Sequence, residues 1–208
     1  MKTSIDWPGL DYTIHQQVGC QRNCSYCWVR NRVWPRVRHL YGGNNFNVVT
    51  ELPEQLNRLK KIKKPSTFFI GPYTDIEYCS RKYMNYTLGI LAQYPQHIFM
   101  FLTKEPLSYQ GFEWPDNTRQ GITITGAEDL ERQRYKILYS MDLPRTFFSI
   151  EPLLGSIRIQ IPFKVDPVIV GAQTGKGAVP PHKDWIKSVT DHCIPERIYW
   201  KKNIRKFL

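Results

Sequence analysis

Cys20, Cys24 and Cys27 fall within one short stretch, GCQRNCSYCWVRN, in the spacing C-x-x-x-C-x-x-C. Thiols crowded in this way close a disulfide, bind zinc or hold an iron–sulfur cluster, and each outcome asks for different company elsewhere in the chain. There are five cysteines, an odd number with three together, so a disulfide framework fits least well. Structural zinc takes four protein ligands, commonly as two separated pairs. No second pair exists: Cys79 and Cys193 are isolated, and neither His182 nor His192 forms a metal-finger pattern. A cubane 4Fe-4S cluster fits better than zinc or a redox thiol pair. Three thiolates hold three of its irons and leave the fourth open for a substrate or cofactor.

The elements that must position these thiols follow from patterning. A chain of 208 residues, 41% hydrophobic and 23% charged, reads as a single globular domain over 1–208 with a core of useful size. No signal-length apolar run opens it and no segment approaches a membrane span, so the expectation is a cytoplasmic protein without a membrane partner. There thiols stay reduced and serve as ligands or catalysts. Apolar or β-branched runs at 12–18, 67–71, 97–103, 121–125, 146–150 and 167–171 read as strands, with a possible seventh at 197–202. Helical patterns lie between them at 50–62 (with Thr50 as N-cap and Pro53 in the first turn), 80–94, 127–141 and 182–193. This alternation predicts parallel strands with right-handed crossovers. A full eightfold barrel needs roughly 250 residues, so the chain suits a partial (βα)6-type TIM barrel, with a doubly wound open sheet as the competitor. In either, ligands bind at the carboxyl ends of the strands, and the cysteines follow the first strand directly.

With Tyr26 as the aromatic residue before the third cysteine, C-x-x-x-C-x-aromatic-C after the first strand of a partial barrel resembles the radical S-adenosylmethionine superfamily. RQGITITGAEDLERQR, FFSIEPLLG, VIVGAQTGKGAVPP and FLTKEP resemble more narrowly a phage- and prokaryote-distributed branch of it. The resemblance implies a 4Fe-4S cluster on the three cysteines, with S-adenosylmethionine chelated at the open iron. It also implies one-electron cleavage to methionine and a 5′-deoxyadenosyl radical, abstraction of a substrate hydrogen, and an external electron donor.

Further cofactor contacts are implied at later strand ends. After the second strand, GPYTDIEY offers Gly71, Thr74 and Asp75 to the methionyl amine, although Pro72 stands where a second glycine is usual; the alternative is an N-cap at Thr74 or Asp75. Thr123 and Thr125 share a strand face toward the ribose or carboxylate, with β-propensity alone as the alternative. Ile124-Thr125-Gly126 replaces the branch's Val-Glu-Asn. Beyond it, Glu128 and Arg134 open a helix, where Arg134 reaches the cofactor carboxylate or pairs with Glu131. Ser149 and Glu151 end the next strand, and a glutamate in so apolar a run calls for a partner. Gly171, followed here by Ala172, and Gln173 supply a turn facing the adenine.

Lys and Arg total 29 against 18 Asp and Glu, a formal charge of +11, which favours a polyanionic partner. WVRNRVWPRVRHLY sets Arg30, Arg32, Arg36 and Arg38 among Trp28, Trp34 and Tyr41 next to the cysteines, a composition suited to phosphates and stacked bases. Arg30, Arg32, Trp34 and Lys104 are the substrate candidates. KKIKK (60–64) lies before the second strand, toward the other end of the barrel. Two function classes stand. One is a radical enzyme acting on a nucleic-acid base, a nucleotide or a protein side chain, with a protein partner possible. The other is a nonenzymatic nucleic-acid-binding protein whose cluster is structural and takes a fourth ligand such as Cys79 or Cys193.

Overall fold

The computed structural model describes residues 2–43, 45–126, 129–140, 143 and 145–208. Its strands are β1 (Tyr12–Ile14), β2 (Gln17–Gly19), β3 (Thr50–Glu51), β4 (Thr67–Ile70), β5 (Tyr73–Thr74), β6 (Ile98–Thr103), β7 (Thr118–Thr123), β8 (Thr146–Ile150), β9 (Val168–Val170) and β10 (Ile198–Trp200). Its helices are α1 (Trp34–Val37), α2 (Arg81–Leu91), α3 (Asp129–Ser140), α4 (Lys183–His192) and α5 (Lys202–Arg205). One seven-stranded parallel sheet has the order β1-β4-β6-β7-β8-β9-β10, nearly the order of the chain, and a smaller sheet has the order β3-β2-β5. With α2, α3 and α4 following β4, β7 and β9, this is an α/β fold of the partial TIM-barrel kind, and the seventh strand is present. No helix among the described residues is long and apolar enough to cross a membrane.

Where the elements depart from the sequence reading, the cause is local. The run 12–18 is two strands. β1 pairs with β4, whereas β2 pairs with β3 and β5, so the chain leaves the main sheet at His15-Gln16. Residues 50–62 do not form an α-helix. Thr50 belongs to β3 rather than capping a helix, and Pro53–Lys61 is a 3-10 helix entered from Leu52 with no side-chain cap. Its apolar residues Leu56, Leu59 and Ile62 recur every three positions, the period of a 3-10 helix rather than an α-helix. The other helices hold. Ser80 caps α2 by accepting the Tyr83 N–H at 3.2 Å, and the Nδ1 of His182 accepts the Asp184 N–H at 3.3 Å ahead of α4. Glu128, the expected opener of α3, lies outside the described residues.

The chain divides into two compact units. The first comprises Met1–Ile5, Gly9–Leu102 and Gly111–Arg119; the second comprises Asp6–Pro8, Thr103–Gln110 and Gln120–Leu208. In the first, Phe68 of β4 stacks on Tyr12 of β1 and tilts against Phe99 of β6. In the second, all five residues of β8 are buried, as expected for a parallel strand covered on both faces. Gly121 of β7 leaves the space that the Phe147 ring occupies, and Trp7 meets that ring edge-on at 5.6 Å.

Candidate functional site

The cysteine loop is a feature of the first unit. Cys20, Cys24 and Cys27 are unbridged and half-buried, and so is Tyr26. The Cys27 N–H donates to the Cys24 carbonyl at 3.1 Å, and the Arg30 N–H points at Cys27 Sγ at 3.4 Å. The Cys20 thiol donates to the Arg22 carbonyl at 3.8 Å. Arg30 closes the loop from behind: its guanidinium donates to the carbonyls of Cys20 (2.7 Å) and Arg22 (3.3 Å) and to Asn47 Oδ1 (2.8 Å), and lies over the Phe46 ring. Arg22 bonds Glu77 on the other side. Burial pulls its pKa down, but the Glu77 carboxylate outweighs that and raises it.

The loop's seat explains why the residues after it are what they are. The chain continues through a π-helical turn (Val29–Val33), α1, and a 3-10 turn (Arg38–Tyr41). One side carries Val29, Val33, Trp34, Val37 and Tyr41, packed with Val18 and Phe46 in a cluster that also touches Cys20 and Cys27. Trp34 is thus buried and stacked on Tyr41, and Arg30 is spent on the loop; of the expected substrate groups here, only Arg32 is exposed. Lys104, in the second unit, is half-buried just past β6.

Among the described residues no three His, Cys, Asp or Glu side chains are close enough to share one metal ion. A cubane does not require that, because each thiolate binds a different iron. The donor set is all cysteine sulfur, the loop carries an N–H aimed at one sulfur, and its backbone is held by Arg30. These features fit such a cluster.

At the end of β1 the sequence reading overlooked three buried polar residues, His15, Gln16 and Gln17. The signal was the HQQ run closing an otherwise apolar strand. Both amide atoms of Gln16, Gln17 Oε1 and His15 Nδ1 have no hydrogen-bond partner. Gly71 turns beside them with φ +74°, and a Cβ there would stand 3.4 and 3.5 Å from the Gln16 amide atoms. The Thr74 hydroxyl donates to the Gly19 carbonyl at 2.7 Å and accepts from Gln17 Nε2 at 3.0 Å, clamping β2 to β5. Asp75 caps the short turn Ile76–Tyr78 by accepting the Glu77 N–H at 3.3 Å. An open groove of about 540 Å³ is lined by Thr50, Glu51, Glu77, Tyr78, Cys79 and Ser80. Burial, then the nearby Glu51 carboxylate, pushes the Cys79 thiol up to about 12, so it stays protonated.

Burial, aided by the Arg58 guanidinium, pushes His15 down to about 4 from its ordinary 6.5. The folded chain holds this ring neutral where the unfolded chain protonates it, so stability falls as pH drops from about 6.5 toward about 4. Between about pH 7.5 and about pH 5 the loss from this residue is about 2 kcal/mol. Urea unfolding of wild type and a His15→Gln variant at both values measures it, and the variant should lack that part of the slope.

In the second unit Thr123 and Ser149 are register partners on β7 and β8, both buried, with Thr123 Oγ1 unpartnered. Thr125 donates to Glu131 Oε1 at 2.8 Å, and Arg134 bonds the same oxygen at 3.1 Å, the i,i+3 pair. Glu151 does have partners: Lys201 Nζ at 2.9 Å and Trp7 Nε1 at 3.2 Å, neither anticipated from the sequence. Desolvation raises its pKa, and Lys201 and Trp7 only partly offset this. Gly171 makes room for that pair, since a Cβ would stand 3.1 Å from Lys201 Cδ and 3.2 Å from Glu151 Cγ. Gln173 Oε1 accepts the Val179 N–H at 3.0 Å and braces its own loop.

Residues 2–203 match the family described as "Protein of unknown function (DUF5131)". No curated protein matches the sequence. Among solved structures, spore photoproduct lyase with one cysteine replaced by serine aligns at a TM-score of 0.54 and 12% identity, over 73% of this chain and 48% of that one. The lyase complexed with dinucleoside spore photoproduct aligns at 0.51 and 12%, over the same shares. The chain spans about half the length of these structures, and the likeness is one of fold.

Proposed function

The chain belongs to the DUF5131 family, and from that premise we propose that it is a radical S-adenosylmethionine enzyme whose 4Fe-4S cluster sits on Cys20, Cys24 and Cys27. The observation that carries this is the loop itself: three half-exposed, unbridged thiols on a braced turn directly after β2, the short strand of the smaller sheet that follows the first strand of a partial TIM barrel. Held by Cys20, Cys24 and Cys27, such a cluster would supply one-electron reductive cleavage of S-adenosylmethionine, fed by an external electron donor, and so hydrogen-atom abstraction from a substrate.

The chain's own residues hold and orient. Arg30 fixes the loop carbonyls, the Arg30 N–H donates to Cys27 sulfur and orients it, and Trp34 keeps the loop seated on its apolar base. The Gly71 turn allows close backbone approach, and the unpartnered Gln16 amide beside it offers its oxygen to the amino group and its N–H to the carboxylate of the methionyl end. The groove past Glu77 is of a size that takes a substrate fragment. In the second unit, Ser149 and Glu151 are the polar pair that closes β8, with Lys201 and Trp7 holding the carboxylate. The substrate is a nucleic-acid base or nucleotide. Its support is the basic composition and a fold shared with a lyase solved in complex with a dinucleoside. The setting is cytoplasmic, and the branch is the phage- and prokaryote-distributed one whose segments the sequence resembles.

The test is anaerobic reconstitution with iron and sulfide, addition of S-adenosylmethionine and dithionite, and quantification of 5′-deoxyadenosine. The wild type should form it, and Cys24→Ala should lose more than about 100-fold in yield together with its iron, a first-ligand loss exceeding the outer-shell range. A fully loaded cluster that does not bind S-adenosylmethionine would instead mark it as structural and end this reading.

A further inference from the structure

We propose that the outward side of residues 28–40 is the docking surface for a single strand of nucleic acid, with Trp28 stacking a base and Arg32 and Arg36 holding phosphates. The proposal deepens the nucleic-acid reading above and rests on it for the chemistry that would follow.

The inner side of this segment is already occupied. Val29, Val33, Trp34, Val37 and Tyr41 pack into the cluster that touches Cys20 and Cys27. Beside it Trp28, Arg32, Arg36 and Leu40 recur every four residues and are all exposed, a row of outward groups along the segment. Trp28 is 44% exposed, Arg32, Arg36, Arg38 and His39 are exposed, and residues 28–43 contain no Asp or Glu. The side chains of Arg32, Arg36 and Arg38 make no hydrogen bond or ion pair among the described residues. Cations left uncompensated in this way gain most from a polyanion, because each phosphate neutralised releases a counterion.

The ring decides between partners. Tyr73 meets Trp28 edge-on at 6.2 Å, which fixes one edge of the indole and leaves a large exposed surface. An acidic protein surface has no use for that surface, and a duplex hides its base faces, whereas an unpaired strand offers them. The same packed segment that carries the stripe seats the cysteine loop, so a strand held here is held in fixed relation to the thiols.

The experiment is fluorescence anisotropy of a labelled single-stranded oligodeoxynucleotide of about twelve nucleotides, within the usual site size. It is titrated with the reconstituted protein, without S-adenosylmethionine, across a series of salt concentrations. Arg32→Gln/Arg36→Gln should weaken binding at least about tenfold and reduce the salt slope by about 1.4, the release expected for two phosphates on a single strand. Trp28→Ala should weaken it by about tenfold with the slope unchanged. Lys60→Gln/Lys61→Gln removes as much charge from the other basic run and should change affinity less than about twofold.

Equal losses from the lysine and arginine pairs would show a diffuse charge effect and overturn the interface. So would duplex or polyglutamate competing as well as the single strand while Trp28→Ala has no effect. The two readings fail separately. Stripe-dependent binding without 5′-deoxyadenosine formation removes the radical chemistry and leaves the interface; intact formation with unchanged binding in the variants does the reverse.

Discussion

Gly19→Ala should lose about 3–5 kcal/mol of stability and most of its capacity to load a cluster. Two costs add. Gly19 has φ +93°, where an L side chain is strained by about 1–2 kcal/mol. Its Cβ would also overlap the Val48 carbonyl oxygen and stand 2.8 Å from the Val48 carbonyl carbon and 3.0 Å from Val49 Cα. All three are backbone atoms, so no side-chain rotation relieves the contact. The neighbouring strand of chain must move, and with it Phe46, whose carbonyl accepts the Cys20 N–H at 2.7 Å, and Asn47, which anchors Arg30. The loop therefore loses its support from two directions at the position where it begins. Gly9→Ala is the control: φ is +66° but nothing lies within 4 Å, so only the conformational cost of about 1 kcal/mol remains. Urea unfolding and iron content after reconstitution, measured on both variants, check the difference.

That dependence on Val48 shows what a sequence does and does not reveal. The crowding of the three thiols and the parallel strands were legible because both are local: the cysteine spacing lies along the chain, and a parallel sheet with helical crossovers leaves its period in each segment. TFFSI at 146–150 coincides with β8 because both its faces are covered and every residue is apolar or small. YTIHQQV misled because β-propensity does not say which sheet a residue joins, and the chain changes sheet at His15-Gln16. The 3-10 helix was missed because its residues are good helix formers, and only the three-residue spacing of Leu56, Leu59 and Ile62 betrays it.

The side-chain partners were harder still, since they are set by approaches between distant segments. Arg30 and Trp34 read as outward-facing from composition, yet an amphipathic segment must spend one side on its core. The register of Val29, Val33, Trp34 and Val37 places both of them inward or at the loop. The partners of Glu151 come from Trp7 and Lys201, at opposite ends of the chain. What could be foreseen was only that a glutamate there required partners. The unpartnered atoms of Gln16 belong to the same class: a polar run closing an apolar strand is visible in the sequence, but its close approach to the Gly71 turn appears only in three dimensions.

Arg134→Met should cost about 3 kcal/mol or more, because it leaves the Glu131 carboxylate buried with Thr125 as its remaining partner. Both side chains are nearly sealed off, 4% exposed for Glu131 and 7% for Arg134, so water cannot replace the lost cation. The pair is itself only half-satisfied: Glu131 Oε2 and Arg134 Nε have no partner. Such a network stabilises little relative to apolar residues of similar volume, while breaking one side of it is expensive. The double variant Glu131→Leu/Arg134→Met should therefore recover to within about 1 kcal/mol of wild type, a large coupling energy for adjacent residues. The same variant separates the two roles open to Arg134. If its task is to neutralise Glu131, the double variant binds S-adenosylmethionine as tightly as wild type by equilibrium dialysis. If Arg134 instead reaches the cofactor carboxylate, affinity falls in the double variant although its stability has returned. Thermal unfolding and dialysis on the single and double variants together decide it, and the buried geometry of the pair favours the first outcome.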